Sequence, residues 1–397
     1  MNTDIQQLLS QLLSQHRNAT AQYIESSVAA VVTIEDDTRY FEQTITALLQ
    51  QTVLPQCLII ADCTGQTAQV VRTQVAVESI RENIITGSSI EKQNIDVQVV
   101  RAKGSKSFGD AIARALAYAK IPSGVRFIWA LHDDSRPANA HCLEALLEAR
   151  NNAPTTAIFG AKQFDWDAQV LHEVGGYAYK HEIASLVVDG EEDQEQYDNR
   201  TDVYYVSLAG ALISLEVFKK LKGCNSWFGT FGESQDFCRR ICKSGGRVVV
   251  VPQAHIAHRR ARYEGVRKID GSAVADESNP VNYYLHTTLA TLRFRYTDIS
   301  PLWWILLWPL SAIYSLYRVV HCLLNKQPYE AWCELCLPWI MLMNIPRALA
   351  ATTRIGLQSA VSASDLSVLY ADSNQIKRWK DRQKAFLQQS SSVILNS

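Results

Sequence analysis

Three short stretches of the chain carry the side chains best placed to do chemistry. The first is Trp129-Ala-Leu-His-Asp-Asp-Ser135, an apolar run that ends in adjacent acids. Two carboxylates at the end of a buried strand can hold a hard divalent cation against a diphosphate, with water and phosphate oxygens completing an octahedron. Asp and Ser also start helices by capping free N–H groups, and 141–150 reads as a helix, so on spacing alone the metal site and the helix cap both stand. The second is Phe228-Gly-Thr-Phe-Gly-Glu-Ser-Gln-Asp236, followed by Phe237-Cys-Arg-Arg240. Glu233 and Asp236 would share one face of a helix, so one can act as a base while Arg239 or Arg240 neutralises the other. An ordinary helical salt bridge uses the same spacing. The third is Pro252-Gln-Ala-His-Ile-Ala-His258 after the strand-like run 247–251. A histidine just past a strand can ligate a metal, with His258 and His255 competing and a structural role open for either. The basic run Arg259, Arg260, Arg262, Arg267 and Lys268 can clamp a diphosphate, rest on anionic lipid or form a plain solvated loop. Cys238 with Cys242, and Cys333 with Cys336, lack the second pair that a structural zinc site requires.

These residues need a frame to bring them together. Val28-Ala-Ala-Val-Val-Thr33 is too apolar and β-branched for a solvent-facing strand, and a helical stretch, 40–51, follows it. The unit recurs: strand 57–61 ending before Asp62, helix 69–80, strand 97–101, helix 110–119 and strand 127–131. Alternation of this kind predicts a doubly wound, mostly parallel α/β sheet, with ligands at the carboxyl ends of its strands. The chemistry is therefore expected in the loops after Thr33, Ala61, Arg101 and Leu131. The stretch 189–202 is acidic without apolar periodicity and reads as a mobile surface loop outside the core. Ile5, Leu8, Leu9, Leu12 and Leu13 lie at helical spacing and make 5–23 an amphipathic docking helix.

At 397 residues with a net charge of −1, the chain is one catalytic domain with appendages and not a globally basic nucleic-acid binder. Its nine cysteines follow no disulfide framework, and residues 1–20 lack the apolar core of a signal peptide, so the catalytic part is expected in a reducing cytosol.

Taken in order along the chain, 27–260 resembles the family-2 glycosyltransferases. The resemblance is carried by Ala29-Ala-Val-Val-Thr-Ile-Glu-Asp36, Leu48-Leu-Gln-Gln-Thr52, Leu58-Ile-Ile-Ala-Asp-Cys-Thr-Gly65, Ser107-Phe-Gly-Asp110, His132-Asp133-Asp134 and Gly232-Glu-Ser-Gln-Asp-Phe-Cys-Arg-Arg240. It implies the GT-A nucleotide-diphospho-sugar transferase fold, and it implies that Thr33, Glu35, Asp62 and Asp133 bind the nucleotide. It also implies that Asp134 and His258 hold Mn2+ or Mg2+, that Glu233 or Asp236 is the catalytic base, and that Ala209-Gly-Ala211 is the turn beside the acceptor pocket. His132 departs from the usual three acids and resembles a version found in actinobacterial cell-envelope enzymes. Ser234 stands where the second acid of a pair is usual, which leaves the base open between Glu233 and Asp236. The implied activity is inverting transfer, of hexosyl or rhamnosyl type, from a nucleoside-diphosphate sugar to a cell-envelope glycan or lipid-linked acceptor. A catalytically silent paralogue acting as a glycan- or nucleotide-binding scaffold is the alternative that Ser234 suggests; a nucleotidyltransferase would use the same acids but release pyrophosphate.

The last quarter is different in character. A helix needs about twenty apolar residues to cross a bilayer, and 302–324 reaches that length, with Trp303, Trp304 and Trp308 at its start. The stretch 331–351 contains Glu334, Pro338, Pro346 and Arg347, so a shallow helix is as compatible as a spanning one, and packing of both on protein is the remaining option. Lys377, Arg378, Lys380, Arg382 and Lys384 suit an anionic cytoplasmic leaflet. The expected organisation is an N-terminal helix over 1–25, a catalytic domain over 26–260, a linker with the basic loop over 261–300, membrane-associated helices over 301–356 and a polar tail over 357–397, at the cytoplasmic face of the cell membrane.

Overall fold

The computed structural model describes residues 5–15, 19–21, 23–67, 70–83 and 87–395. Its strands are β1 (Ala19–Ala21), β2 (Tyr23–Ile34), β3 (Val53–Asp62), β4 (Val71–Asn83), β5 (Gly87–Arg101), β6 (Phe127–His132), β7 (Ser135–Pro137), β8 (Thr156–Phe164), β9 (Leu171–Glu173), β10 (Tyr177–Tyr179), β11 (Glu182–Ala184), β12 (Ala211–Ser214) and β13 (Arg247–His258). The helices are α1 (Ile5–Gln15), α2 (Phe41–Leu49), α3 (Phe108–Tyr118), α4 (Cys142–Asn152), α5 (Leu215–Lys220), α6 (Glu233–Lys243), α7 (Tyr284–Asp298), α8 (Trp304–Leu324), α9 (Pro328–Met343), α10 (Ile345–Gln358) and α11 (Ser373–Leu395).

One large sheet runs in the order β1-β4-β5-β3-β2-β6-β12-β8-β13-β7, with β9 added beside β8. The strands β5, β3, β2 and β6 are mutually parallel, and β12 is inserted antiparallel between β6 and β8. Successive residues of β2 feed two different cores. Val28, Ala30 and Val32 pack with Ile5 and Leu9 of α1, Phe41 of α2 and Leu143 of α4. Ala29 and Val31 pack with Ile112 of α3 and Phe237 of α6. A sheet covered on both faces needs an apolar side chain at every position, which is why these strands read as unbroken apolar runs. In-register pairing of Thr33 with His132, Ile34 with Asp62 and Asp62 with Arg101 ends β2, β6, β3 and β5 at one edge, where their loops emerge together.

Four expectations are corrected here. The stretch expected as helix 69–80 is the strand β4, with Val75 and Val77 buried on one face and Gln74 and Ala76 exposed on the other, a period of two; Gln69 itself lies outside the described residues. The N-terminal helix ends at Gln15, and from Tyr23 the chain already belongs to the sheet. The acidic stretch 189–202 is not a loop clear of the core: Tyr197 is buried, and Asp193 and Asp198 clasp the fully buried Lys162 amine at 2.8 and 2.5 Å. Residues 261–300 are not a linker, because Arg267, Tyr283, Leu289 and Phe294 are buried and α7 packs between the catalytic body and the C-terminal helices.

The apolar stretch 331–351 forms α9 and α10, bent by 64° at Asn344. Helices α8 and α9 pack side by side through a polar node in which Ser315 and Tyr284 donate to Glu334 and Arg318 pairs with it at 3.2 Å. The tail is not free either: α11 buries Ile376 against Ala184 and Leu186, and the Trp379 indole donates to the Val187 carbonyl.

Candidate active site

At the carboxyl edge of the sheet lie two clefts. One, of about 540 Å³, is lined by Glu35 and Asp36 after β2, Cys63 and Thr64 after β3, and Lys103 to Ser107 after β5. The other, of about 380 Å³, is lined by His132 and Asp134 after β6, Glu233 at the start of α6, and His258 at the end of β13. Thr230, Phe231 and Arg262 border both, so the clefts adjoin. The four loops named from strand order each contribute to this lining, and the segments around 163–173, 205–209, 228–235 and 258–263 supply much of the rest.

His132, Asp133 and Asp134 bring a ligand atom each to within 4.8 Å of one another. His132 Nδ1 lies 2.7 Å from one oxygen of each acid. Burial alone would lower the His132 pKa, but the two carboxylates outweigh it and hold it well above the usual value. Burial would likewise raise Asp134, and the charges of His132 and Arg267 reverse that, holding it well below the carboxylate range. One Asp134 oxygen, Oδ2, accepts from the Ala261 amide at 2.8 Å. The other, Oδ1, is buried with no partner in hydrogen-bonding geometry despite the nearby ring, and His258 Nε2 stands 3.7 Å from it. Burial presses the His258 pKa down to about 4, so at neutral pH its imidazole is uncharged and has a lone pair to offer. A buried carboxylate oxygen faced by His132 at 2.7 Å and by the uncharged His258 at 3.7 Å offers ligand types that fit a divalent cation, which would take the place of the proton on His132. His255, the competing histidine, stacks on Phe164 at 4.9 Å and does not line the cleft.

Asp133 is differently placed. Its Oδ1 accepts from Arg267 Nη1 at 2.6 Å and its Oδ2 from the Glu35 amide at 2.9 Å, with both side chains wholly buried. Arg267 also reaches Asp37, and Arg262 holds both oxygens of Glu35 at 2.7 and 2.6 Å. Two members of the basic run thus fold over the acids. Nothing local in the sequence marks Arg267 as the buried one, because its partners Asp37 and Asp133 lie far away in the chain.

Of the residues expected at the nucleotide, Glu35 lines the larger cleft, whereas Thr33, Asp62 and Asp133 are buried and line neither. Asp62 is consumed by its own loop, accepting from the Thr64 amide and hydroxyl, the Gly65 amide and the Thr67 amide.

The two candidate bases separate cleanly. Asp236 pairs with Arg239 and Arg240 at 2.8 Å each, is fully buried and does not line the cleft. Burial would raise its pKa, and the two guanidiniums reverse that. Glu233 lines the cleft and has no cation bonded to it. Burial pushes its carboxyl up to about 7, partly offset by Ser107 and by the Gly109 amide, which donates to Oε1 at 3.0 Å. Its Oε2 is buried without a hydrogen-bond partner. Ser107 caps α3 through the Asp110 amide and Phe108 stacks edge-on to His132 at 5.3 Å, so the stretch 107–109 braces both ends of the site.

No curated protein matches the chain by sequence. Among solved structures the chain resembles GalNAc-T7 with UDP, GalNAc and Mn2+, at 11% identity and a TM-score of 0.42, covering 69% of this chain and 50% of that one, so it spans half of that relative's length. It also resembles a mannosyltransferase from Pyrobaculum calidifontis in complex with GDP-Man and Mn2+ (9% identity, TM-score 0.41, 92% and 86% covered) and S. aureus TarS 1–349 (11% identity, TM-score 0.39, 78% and 90% covered). All three likenesses are distant. The model of the glycosyl transferase family group 2 matches residues 127–345, more than half of the chain and the part that carries His132 to Asp134, Glu233 and His258, and this protein therefore belongs to that glycosyltransferase family and has its GT-A fold.

Proposed function

We propose that the protein is a metal-dependent inverting transferase that moves a sugar from a nucleoside diphosphate to a glycan or lipid-linked acceptor of the cell envelope. The observation that carries this reading is Glu233, a carboxyl of near-neutral pKa lining the same cleft as Asp134 and His258. The cleft beside Glu35, Cys63, Thr64 and Lys103 to Ser107 has the position and size for the nucleoside. Glu233 then accepts the proton of the attacking acceptor hydroxyl, which a base with a pKa near the working pH does most effectively. Asp134 and His258 would hold Mn2+ or Mg2+, which supplies positive charge against the leaving diphosphate. A single displacement needs no covalent intermediate and inverts the anomeric carbon.

The place at the membrane, on its cytoplasmic face in this reading, draws its support from the C-terminal helices, which speak for lipid contact and not for a side. Pro301–Leu324 is, among the described residues, the one single helix long and apolar enough to cross a bilayer, with a mean hydropathy of 1.2 and only 11% of its apolar window buried. Trp303 at its start and Trp332 and Trp339 on α9 are exposed, as at a membrane interface.

The test is calorimetric titration of the purified protein with nucleoside diphosphates and nucleotide sugars, with Mn2+ or Mg2+ and again with chelator. Metal-dependent binding that Asp134→Ala abolishes is expected. The silent-scaffold reading is favoured by one observation, that Arg267 already neutralises Asp133; binding without turnover of any donor would select it.

A further inference from the structure

The smaller cleft extends beyond Asp134 and Glu233 to a second polar end formed by Gln163, His172, Glu173, Tyr205, Ser207 and Ala209. Strand pairing sets Glu173 of β9 directly opposite Gln163 of β8, and directly opposed residues on antiparallel strands project from the same face. The Gln163 amide nitrogen is anchored on the carbonyls of Ala161 and Ala209 at 3.2 and 3.0 Å, which fixes the orientation of the amide and leaves Oε1 buried and unpaired. Tyr205 and the Ser207 amide hold the Glu173 carboxyl, and its Oε1 is also buried without a partner. Arg260, beside it, has its charge answered by Asp189 and Glu264 and retains one unpaired Nε–H. A buried polar atom left unpaired costs on the order of 1–3 kcal/mol, so several together in one cleft, on side chains assigned neither to the metal nor to the base, call for a ligand.

Thr230, Phe231 and Arg262 join this cleft to the nucleoside cleft, and the proposed reading assigns Asp134, His258 and Glu233 in it to the diphosphate, the metal and the acceptor hydroxyl. The polar cluster around Gln163 and Glu173 lines the same cleft and has none of those tasks, which leaves it to the body of the acceptor. Two acceptor oxygens and one N–H match a sugar ring, whose hydroxyls both donate and accept. They do not match an anionic ring, which would set its carboxylate or phosphate against Glu173 and the Gln163 carbonyl.

We propose that Glu173 and Gln163 form the acceptor-sugar subsite, and that Glu173 selects a neutral, hydroxyl-rich ring over an anionic one by accepting hydroxyl hydrogen bonds. Burial also pushes the Glu173 carboxyl up to about 7, so near neutrality a fraction of it can donate as well. The subsite rests on the transferase reading. It is separable from it because donor binding does not use this end of the cleft.

The experiment uses the full chain with the nucleotide sugar found in the titration and a panel of p-nitrophenyl glycosides as acceptor probes, neutral hexosides and pentosides beside the glucuronide. Wild type is expected to transfer to at least one neutral glycoside and to disfavour the glucuronide. Glu173→Gln should raise KM for that glycoside about tenfold with little change in kcat and narrow the preference over the glucuronide, while metal-dependent nucleotide binding and Tm stay at wild-type values. Unchanged acceptor KM and preference in Glu173→Gln, with donor binding intact, overturns the subsite alone. A fall in kcat without a change in KM overturns it too, by making Glu173 part of the chemistry. Transfer to no neutral glycoside at all also overturns it, and absence of nucleotide binding in wild type removes the transferase reading itself.

Discussion

The backbone amide of Gly109, at the start of α3, donates to the carboxylate of Glu233, at the start of α6, across 3.0 Å. It is one of the few groups that stabilise the Glu233 anion, and the shift to about 7 shows that burial prevails over them. Folded Glu233 therefore keeps its proton up to higher pH than the unfolded chain does. The native state binds more protons between about pH 4.5 and 7, so stability falls as pH rises through that window, by a few kcal/mol at most. Activity runs the other way, since the base works deprotonated. The expected result is a kcat/KM that rises with pH to a plateau above about 7, and a Glu233→Gln variant that loses on the order of 10²- to 10⁴-fold in kcat while its Tm declines less than wild type between pH 5 and 8. A Glu233→Gln variant with wild-type turnover would remove the assignment.

The same contact makes Gly109 a sensitive position. A methyl group added there would lie 2.4 Å from the Cys224 side chain and 2.9 Å from Glu233 Oε2, closer than side-chain carbons approach, so one of them must move. Gly109→Ala is expected to displace the Glu233 carboxyl and cut kcat at least tenfold while metal-dependent nucleotide binding persists; a small misplacement of a catalytic group is enough for such a loss. Equal losses in binding and kcat would point to general unfolding instead.

How far the sequence exposes this site depends on the range of the interaction. The strand 127–132 and its terminal acids are legible because burial on both faces and exposure of chemistry at the carboxyl edge leave a local mark. The strand β4 was misread because its alternating valines sit where a crossover helix was expected, although Val75 and Val77 carry the period of two. Arg267 could not be singled out from the other four members of the basic run, because burial is decided by Asp37 and Asp133, which only the folded sheet brings near. Glu173 belongs to no motif and becomes visible only through its pairing with Gln163.

Asp236 gives a contrasting prediction three residues from Glu233. Its two guanidinium partners are fully buried and bond on to backbone carbonyls, Arg239 to Phe294 and Arg240 to Leu221 and Gly223. Removing the charge that both answer leaves two buried cations short of an anion, which costs about 3–5 kcal/mol. Asp236→Asn is therefore expected to fail in stability, with a lowered denaturation midpoint, and whatever protein remains folded should keep the pH profile of wild type. A stable Asp236→Asn protein with no turnover would instead make Asp236 the base.

The helices α8 and α9 supply the last prediction. Ile305 and Ile313 are 75% and 66% exposed on α8, whereas Trp304, Ser315 and Cys322 form its buried stripe. The outer face can therefore be changed without touching the contacts to α9 or the node at Glu334. A charged side chain at the centre of a bilayer costs about 2.5–3.5 kcal/mol on insertion scales; Ile313 lies near the middle of α8 and Ile305 near its start, so Ile313→Asp carries most of that cost and, with Ile305→Asp, should release the protein from anionic lipid vesicles in a flotation assay. Donor binding measured in detergent should be unchanged, since neither residue lines a cleft. If wild type and the double variant float alike, the exposed face of α8 is not what meets the lipid; if neither floats, these helices have a protein partner and the membrane reading fails.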